Sequence, residues 1–563
     1  ELFFVGALSG SSRGRRIVLA ASMSESSEYL TSTWRQMLLG TLPSKYTKFP
    51  FYMVDMSWKN EVLPDGQAVA VPNGLRVVES LLLQKFKPED IAVCHTDKLD
   101  LFVGPDTRVI GIHAHNPLGI AFATDVYTHM YGKAQDPINA TEFKRLITHP
   151  AIKKHKDHLK IIVGGPGSWQ IEKKNLQDEW NIDTIVDGEA EEIVVPLFES
   201  AMRGEALPRR IEGKSPPMDL IPTTHNRSIF GVVEVTRGCG RGCQFCSIAL
   251  RKGKSLPLDH ILENVRTQVA GGAETIMLTT EDIFLYEQGP KFETNVPALR
   301  KLFESVAAVP GVKHVIQTHG TIAPIVRDPH LLDELSPVAV GKSINTHPAS
   351  THPENRYASL FVGLETGSPR LFNQYMKGKA YPYKAEQWHD VILKGMELMN
   401  KANWFPFATW IIGLPGEKDE DTKISLDLLH ALKDAKWVVM PTLFVPLDDT
   451  RMQGENSAQL YKLTELQWEF FYTCWRYNVD FYRRDPSFQR KFNFGVPIYY
   501  YLLGRRLFGK AMKYPALRLA HFSEKFLSRR LYLNLDEPPK QRVPEQLDIP
   551  LERARPAIPV LAD

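Results

Sequence analysis

Cys239-Gly-Arg-Gly-Cys243-Gln-Phe-Cys246 decides how this chain of 563 residues is read. The stretch holds three of the five cysteines and follows an apolar run, Val232-Val-Glu-Val235, and a Thr236-Arg-Gly238 turn. Three thiols this close, spaced by loop-forming glycines and preceded by a strand, suit a compact polynuclear metal site. A cubane iron–sulfur cluster takes four protein thiolates, so a set of three leaves one iron open to a ligand that is not protein, as a catalytic metal site needs. A structural zinc site would need a His to complete its set, because no second cysteine pair lies nearby. Disulfides are disfavoured by the internal position of the motif, the distance of the other cysteines and the lack of a secretory pattern.

The spacing C-x3-C-x2-C, with Phe245 before the last cysteine, resembles the signature of the radical SAM enzymes. That resemblance implies a [4Fe-4S] cluster on Cys239, Cys243 and Cys246 whose open iron binds the amino and carboxylate groups of S-adenosylmethionine (SAM). Reductive cleavage then yields a 5′-deoxyadenosyl radical that takes hydrogen from unactivated carbon.

Behind the cysteine loop, strand patterns at 274–279, 312–317, 358–363, 406–413 and 437–440 alternate with helical stretches at 258–270, 385–401 and 419–433. With 232–235 they make six strands, the number on which the family's barrel is built, and active residues belong at their carboxyl ends. Thr279-Thr280-Glu281-Asp282 follows the second, where the resemblance implies an edge that binds the SAM amino group. Gly363-Leu-Glu365-Thr366-Gly367 ends the fourth and is similar to the family's Gly-x-Glu-x-Gly pattern, with Glu365 reaching the SAM amine or ribose. Gly413-Leu414-Pro415-Gly416-Glu417 ends the fifth and resembles the segment near the adenine. Each cluster alone is also an ordinary strand-to-helix turn. Three in order behind the cysteine spacing agree across levels. His319, after the third strand, is a substrate-positioning or proton-transfer candidate, or a hydrogen-bonded structural His. Asp448 and Asp449 are substrate-contact candidates after the sixth strand.

The first two hundred residues alternate β-rich runs at 17–21, 91–94, 109–112, 161–163 and 184–186 with helical stretches, the pattern of an α/β domain with a parallel sheet. Ligands of such sheets sit at the carboxyl ends of the strands. In Ile161-Ile-Val-Gly164-Gly165-Pro166-Gly167 the glycines either admit a bulky ligand close to the backbone or make a tight turn without one. Together with Val186-Asp-Gly-Glu189-Ala-Glu191, they make residues 15–200 resemble the cobalamin-binding domain that precedes the radical SAM domain in a large subfamily. The resemblance implies that Gly164, Gly165 and Pro166 lie along the nucleotide tail of cobalamin and that Glu189 helps close the domain. The Asp-x-His-x-x-Gly motif that supplies a lower cobalt ligand is absent. Ser22-Met-Ser-Glu-Ser-Ser-Glu28 stands after the first strand, so the expectation is cobalamin without a His lower ligand, with Ser22 as a contact. His115 and Asn116, after the third strand, face the same rim as contact candidates or plain polar loop residues.

The expected fold class is α/β: an N-terminal Rossmann-like cobalamin-binding domain, a partial (β/α)6 radical SAM barrel and a mostly helical C-terminal region. Expected boundaries are a loose leader at 1–14, the first domain at 15–207, a linker at 208–226, the barrel at 227–450, a helical region at 451–535 and a loose tail at 536–563. The excursion at 42–74 has no assigned role.

Hydrophobic content of 43% and 24% charged residues are ordinary for soluble globular protein, and a net charge of +3 does not argue for bulk nucleic-acid binding. Five cysteines without a pairing pattern point to a reducing, cytoplasmic setting. From Arg483 to Arg530 twelve Lys and Arg stand against Asp485 and Glu524, interleaved with aromatic residues such as Tyr499, Tyr500 and Tyr501. This suits a helical cap with a solvated basic face, a helix lying on an anionic membrane, or a grip on a phosphate-bearing substrate.

The expected activity is functionalisation of an unactivated carbon, with C-methylation of a small-molecule or lipid-like substrate preferred. The alternative is radical ring formation, rearrangement or C–C coupling with cobalamin secondary. Methylthiolation of RNA or protein normally needs a second cluster with three further cysteines, and only Cys94 and Cys474 remain. A cobalamin sensor would not need the cysteine loop. Expected partners are the substrate, an external flavodoxin- or ferredoxin-like electron donor and, through the C-terminal region, a membrane surface; nucleic acid is not expected.

Overall fold

The computed structural model describes residues 13–28, 44, 60–120, 124, 136–447, 450–459 and 462–482. Residues 1–12 of the leader, 42–43 and 45–59 of the 42–74 excursion, Asp448 and Asp449, the basic aromatic stretch from Arg483 onward and the tail lie outside them.

Strands β1 (Ile17–Ala21), β2 (Ile91–His95), β3 (Val109–His113), β4 (Lys160–Gly164), β5 (Thr184–Asp187) and β6 (Arg210–Glu212) form one parallel sheet in the order β2-β1-β3-β4-β5-β6. A parallel sheet is covered on both faces, so its strands are near-continuous apolar runs. Val18, Ala20, Ile110, Ile112, Ile161 and Val163 pack under the helices Ile138–Ile147 and Trp169–Lys173. Ile17, Leu19, Ile91, Val93 and Val109 pack under Asn73–Leu83 and Val194–Met202. The order reverses at β1, and the crevice of a doubly wound sheet opens there, at the carboxyl ends of β1 and β3. β6 falls inside the stretch expected to be a linker. It pairs with β5, Ile185 opposite Arg210, and is too short and polar to stand out in a hydrophobic pattern.

The second half supplies β7 (Val232–Glu234), β8 (Thr275–Thr279), β9 (His314–Gln317), β10 (Phe361–Glu365), β11 (Phe407–Ile412) and β12 (Val438–Leu443). They make two parallel three-stranded sheets, β9-β8-β7 and β10-β11-β12. A bridge between His319 and Phe361 joins the two, with Phe361 N–H donating to Thr318 O at 2.7 Å and Gly320 N–H to Phe361 O at 3.0 Å. Six strands thus follow one another in chain order around an open barrel. Outward residues Val233, Ile276, Leu278, Val315, Val362, Leu364, Ala408 and Val439 pack beneath helices that include Leu258–Ala270, Val296–Ala308, Trp388–Lys401 and Asp419–Ala431. β10 starts later than the apolar pattern at 358 indicates, because Ala358 pairs with Trp404 only through an isolated bridge. The helix Glu465–Tyr482 closes the open edge of β12: Asn478 accepts the Val439 N–H and donates to the Val439 carbonyl, both at 2.7 Å.

The halves meet through polar contacts. Glu28 accepts two hydrogen bonds from Arg227, at 2.7 and 2.8 Å, and one from the Phe230 N–H at 2.8 Å. Arg76 pairs with Glu79 at 2.9 Å and donates to the carbonyls of Arg227, Ala68 and Val69. Both partners of that pair are buried. Breaking it leaves Glu79 as a buried unpaired charge, so Arg76→Met is expected to lower unfolding stability by ~3–5 kcal/mol. Urea denaturation measures it; an unchanged midpoint would refute the tie.

His95 is buried at the end of β2, and burial pulls its pKa from 6.5 down to about 4. The fold therefore holds it neutral, and its contribution is present above about pH 6.5 and lost as pH falls through about 4. In His95→Gln the unfolding midpoint is expected to fall less over that window than in the parent.

Candidate active site

Gly238, Gly240 and Gly242 take left-handed backbone, with φ of +74°, +76° and +76°, in the turn that carries Cys239 and Cys243. Only glycine adopts that region freely, and a Cβ at Gly238 would also sit 2.6 Å from the Lys252 carbonyl oxygen. The loop then closes on itself: Cys239 N–H donates to Arg251 O at 3.1 Å, Gly242 N–H to Ala249 O at 2.9 Å and Cys246 N–H to Cys243 O at 3.3 Å. Cys239 and Cys243 are buried and Cys246 is half-buried. Burial pushes Cys239 up to about 12 and Cys243 up to about 11, and raises Cys246 as well. Cys243 adds to the rise at Cys239, and Cys246 to that at Cys243. A coordinated metal deprotonates such thiols outright. Among the described residues no three His, Cys, Asp or Glu are grouped tightly enough to hold a single ion.

Arg241, between two of the thiols, turns inward. Its side chain is 1% exposed and that of Asp282 0%. Nε and Nη2 donate to Asp282 Oδ2 at 3.2 and 3.0 Å. Asp282 also accepts the N–H groups of Phe284 and Thr321 at 3.2 Å each and the Thr321 hydroxyl at 2.6 Å. Its carboxylate is filled by the protein, which corrects the expectation that it faces SAM; it anchors the cysteine loop. Thr280 is likewise buried, its hydroxyl 2.5 Å from that of Thr236. Glu281 differs from both. It is half-buried, makes no hydrogen bond among the described residues, and burial with the neighbouring charge of Glu234 pushes it up to about 7.

Glu365, at φ +64°, accepts from Lys379 Nζ at 2.6 Å and from Thr409 Oγ1 at 3.3 Å. A Cβ at Gly363 would collide with both Glu365 and Lys379, so the pair explains that glycine. Burial works against the Lys379 ammonium, but Glu365, Cys243 and Cys246 raise its pKa above the ordinary value. No sequence pattern marked Lys379. Thr366 is buried and structural: its hydroxyl accepts the Ser368 N–H at 3.1 Å and its carbonyl the Trp388 indole at 3.0 Å. The Gly413 N–H donates to the Glu417 carboxylate, a Cβ there would strike Ala458, and Leu414 is buried. That turn is therefore occupied by the chain itself, against the expectation of an adenine contact. His319 stands at the seam between β9 and β10, its ring 5.3 Å from that of Phe361, where desolvation lowers its pKa and a hydrogen bond with the Thr280 backbone opposes that.

At the rim of the first sheet, Ser22 caps the short helix Met23–Ser26, its hydroxyl accepting the Glu25 N–H at 3.3 Å. Glu25 is buried and accepts the N–H groups of His115 and Asn116 at 3.0 and 3.1 Å and His113 Nδ1 at 3.1 Å. Burial works to raise its carboxyl, but His113 and these partners hold it below the ordinary value. Asn116 is tied inward, to Thr124 at 3.0 Å and Gln170 at 2.9 Å, whereas the His115 side chain is exposed at the rim. Gly165, at φ +115°, passes so close to the β3 loop that a Cβ would sit 2.8 Å from Ala114 O. Gly164 has ordinary room and Pro166 is exposed. Glu189 pairs with Arg237 at 2.9 Å and Arg251 at 3.0 Å, and Glu191 with Arg237 at 2.6 Å. It therefore joins the first sheet to the cysteine loop instead of simply closing its own domain.

Residues 233–429 match the family model of the Radical SAM superfamily. They are a radical SAM domain. Such a domain implies a [4Fe-4S] cluster and SAM, and Cys239, Cys243 and Cys246 on their glycine-turned loop would hold the first. In sequence the chain is similar to a ribosomal protein uS12 methylthiotransferase RimO of Acidithiobacillus ferrooxidans, 28% identical over 38% of this chain and 46% of that protein. It is also similar to a tRNA-2-methylthio-N(6)-dimethylallyladenosine synthase of Dichelobacter nodosus, 23% identical over 53% and 60%. The chain spans about half the length of the curated relatives it matches. In fold it is similar to TsrM, a radical S-adenosylmethionine methyltransferase of Kitasatospora setae. A structure with tryptophan substrate and a SAM analogue gives a TM-score of 0.51 at 15% identity over 78% of this chain and 75% of that one. A second, with cobalamin and a [4Fe-4S] cluster, gives 0.50 at 14% identity over 80% and 78%.

Asp282→Asn removes the charge that holds Arg241. Losing such a support around ligand residues is expected to weaken cluster retention by ~10–100-fold. Iron and sulfide per chain after challenge with a chelator measure this, and retention equal to the parent would show that the pair does not hold the loop.

Proposed function

We propose that this chain is a cobalamin-dependent radical SAM enzyme that methylates an unactivated carbon of a small-molecule or lipid-like substrate. The observation that carries the proposal is the joining of the two rims: Glu189 and Glu191, after β5, grip the arginine that leads into the cysteine loop. Cys239, Cys243 and Cys246 would hold the cluster, which when bound supplies the electron that cleaves SAM. The unpartnered carboxyl of Glu281 suits the SAM ammonium. Gly164, Pro166 and the exposed His115 leave the first rim open for cobalamin, which when bound supplies a transferable methyl group. Glu25 fixes the loop that carries His115. The TsrM structure with cobalamin and cluster bound supports this reading. We further propose an external flavodoxin- or ferredoxin-like electron donor and, through the stretch from Arg483, a peripheral membrane contact. No described helix is long and apolar enough to cross a membrane.

A second reading, methylthiolation, is favoured by the names of the sequence relatives. Against it, Cys94 and Cys474 are fully buried in separate cores, and no further cysteine stands in this sequence to build a second three-thiol site.

Anaerobic reconstitution with iron, sulfide and hydroxocobalamin, followed by reduction in the presence of SAM, tests the choice. Bound corrin with both 5′-deoxyadenosine and S-adenosylhomocysteine is expected. Deoxyadenosine alone would favour ring formation or rearrangement, and neither product would overturn the enzyme reading.

A further inference from the structure

We propose that the buried Lys379–Glu365 pair is a positioning device that sets the electrostatic potential at the cysteine loop, and with it the reduction potential of the cluster. The inference rests on the radical SAM reading of that loop.

Segment 374–379 is zipped along residues 241–244. Gln244 N–H donates to Tyr375 O at 2.9 Å, Gln244 Nε2 to Gln374 O at 2.7 Å and Arg241 Nη1 to Lys379 O at 3.5 Å. Gly378 packs against the Arg241 carbonyl where no Cβ fits. These contacts lay the stretch that carries Lys379 against Arg241 and Gln244, on either side of Cys243, and its ammonium, 2.6 Å from Glu365, is buried with its partner. The ion pair is built into the barrel: Gly363 lacks the Cβ that would strike both charges, and Thr409 takes the second oxygen of Glu365. Desolvating two charges is costly, and an apolar pair of similar volume would serve packing as well. Their placement has a direct electrostatic consequence. The Lys379 cation favours the thiolate form of Cys243 and Cys246, and Glu365 opposes it at Cys243. A nearby cation favours the reduced, more negative state of a cluster and a nearby anion opposes it, because net charge around the sulfurs tunes these potentials.

The test is the midpoint potential of the reconstituted cluster, read without SAM by EPR-monitored titration with titanium(III) citrate in the parent, K379Q, K379R and E365Q. K379Q is expected to shift to more negative values, E365Q to more positive values, and K379R to match the parent. A purely structural role would not reverse sign between the two charge-removing variants. Shifts of one sign in K379Q and E365Q, equal potentials in all four proteins, or a cluster retained only by the parent and K379R would each overturn the inference. A parent that assembles no four-iron cluster would instead overturn the radical SAM reading.

Discussion

The rest of the candidate site depends on one buried ion pair, Arg241 with Asp282. A guanidinium is an unusual group to bury, and Arg241, which stands between Cys239 and Cys243 in the chain, is tolerated because Asp282 meets it and Phe284 and Thr321 satisfy the remaining lone pairs. The result is a cysteine loop anchored to the turns after β8 and β9. The cost to function is that this carboxylate is no longer available to a ligand. Of the three residues Thr280, Glu281 and Asp282, the middle one alone presents an uncommitted polar group.

A second constraint joins the two halves. Arg237 stands just before Cys239 and meets Glu189 and Glu191 from the first sheet together with Glu234 at the end of β7, the last at 2.6 Å. Glu28, in the turn after β1, meets Arg227 and Phe230. The loops at the carboxyl end of the first sheet and the loop carrying the thiols are therefore parts of one hydrogen-bonded assembly. A reaction that needs a group from each rim requires that kind of fixed approach.

Much of the fold was legible because buried parallel strands are apolar throughout. The runs at 17–21, 275–279 and 407–412 stand out for that reason. β6 was not legible, since Arg210–Glu212 gains its strand character only from pairing with β5. Glycines announced close approach but not what approaches. At Gly165 the neighbour is the protein's own backbone, and at Gly363 it is an ion pair. Lys379 and Glu25 carried no signal at all, because a lysine or a glutamate in a polar stretch looks the same whether it ends exposed or buried.

The sequence by itself determined the cysteine loop: three thiols and the glycines that turn them lie within eight consecutive positions, so local backbone chemistry is enough to bring them together. Tertiary structure alone decided which charges meet. Arg241 finds Asp282 across 41 positions, Arg237 finds Glu189 across 48 and Glu25 finds His113 across 88. Those meetings follow from strand order and from how closely loops approach, and neither is written in the spacing of residues along the chain.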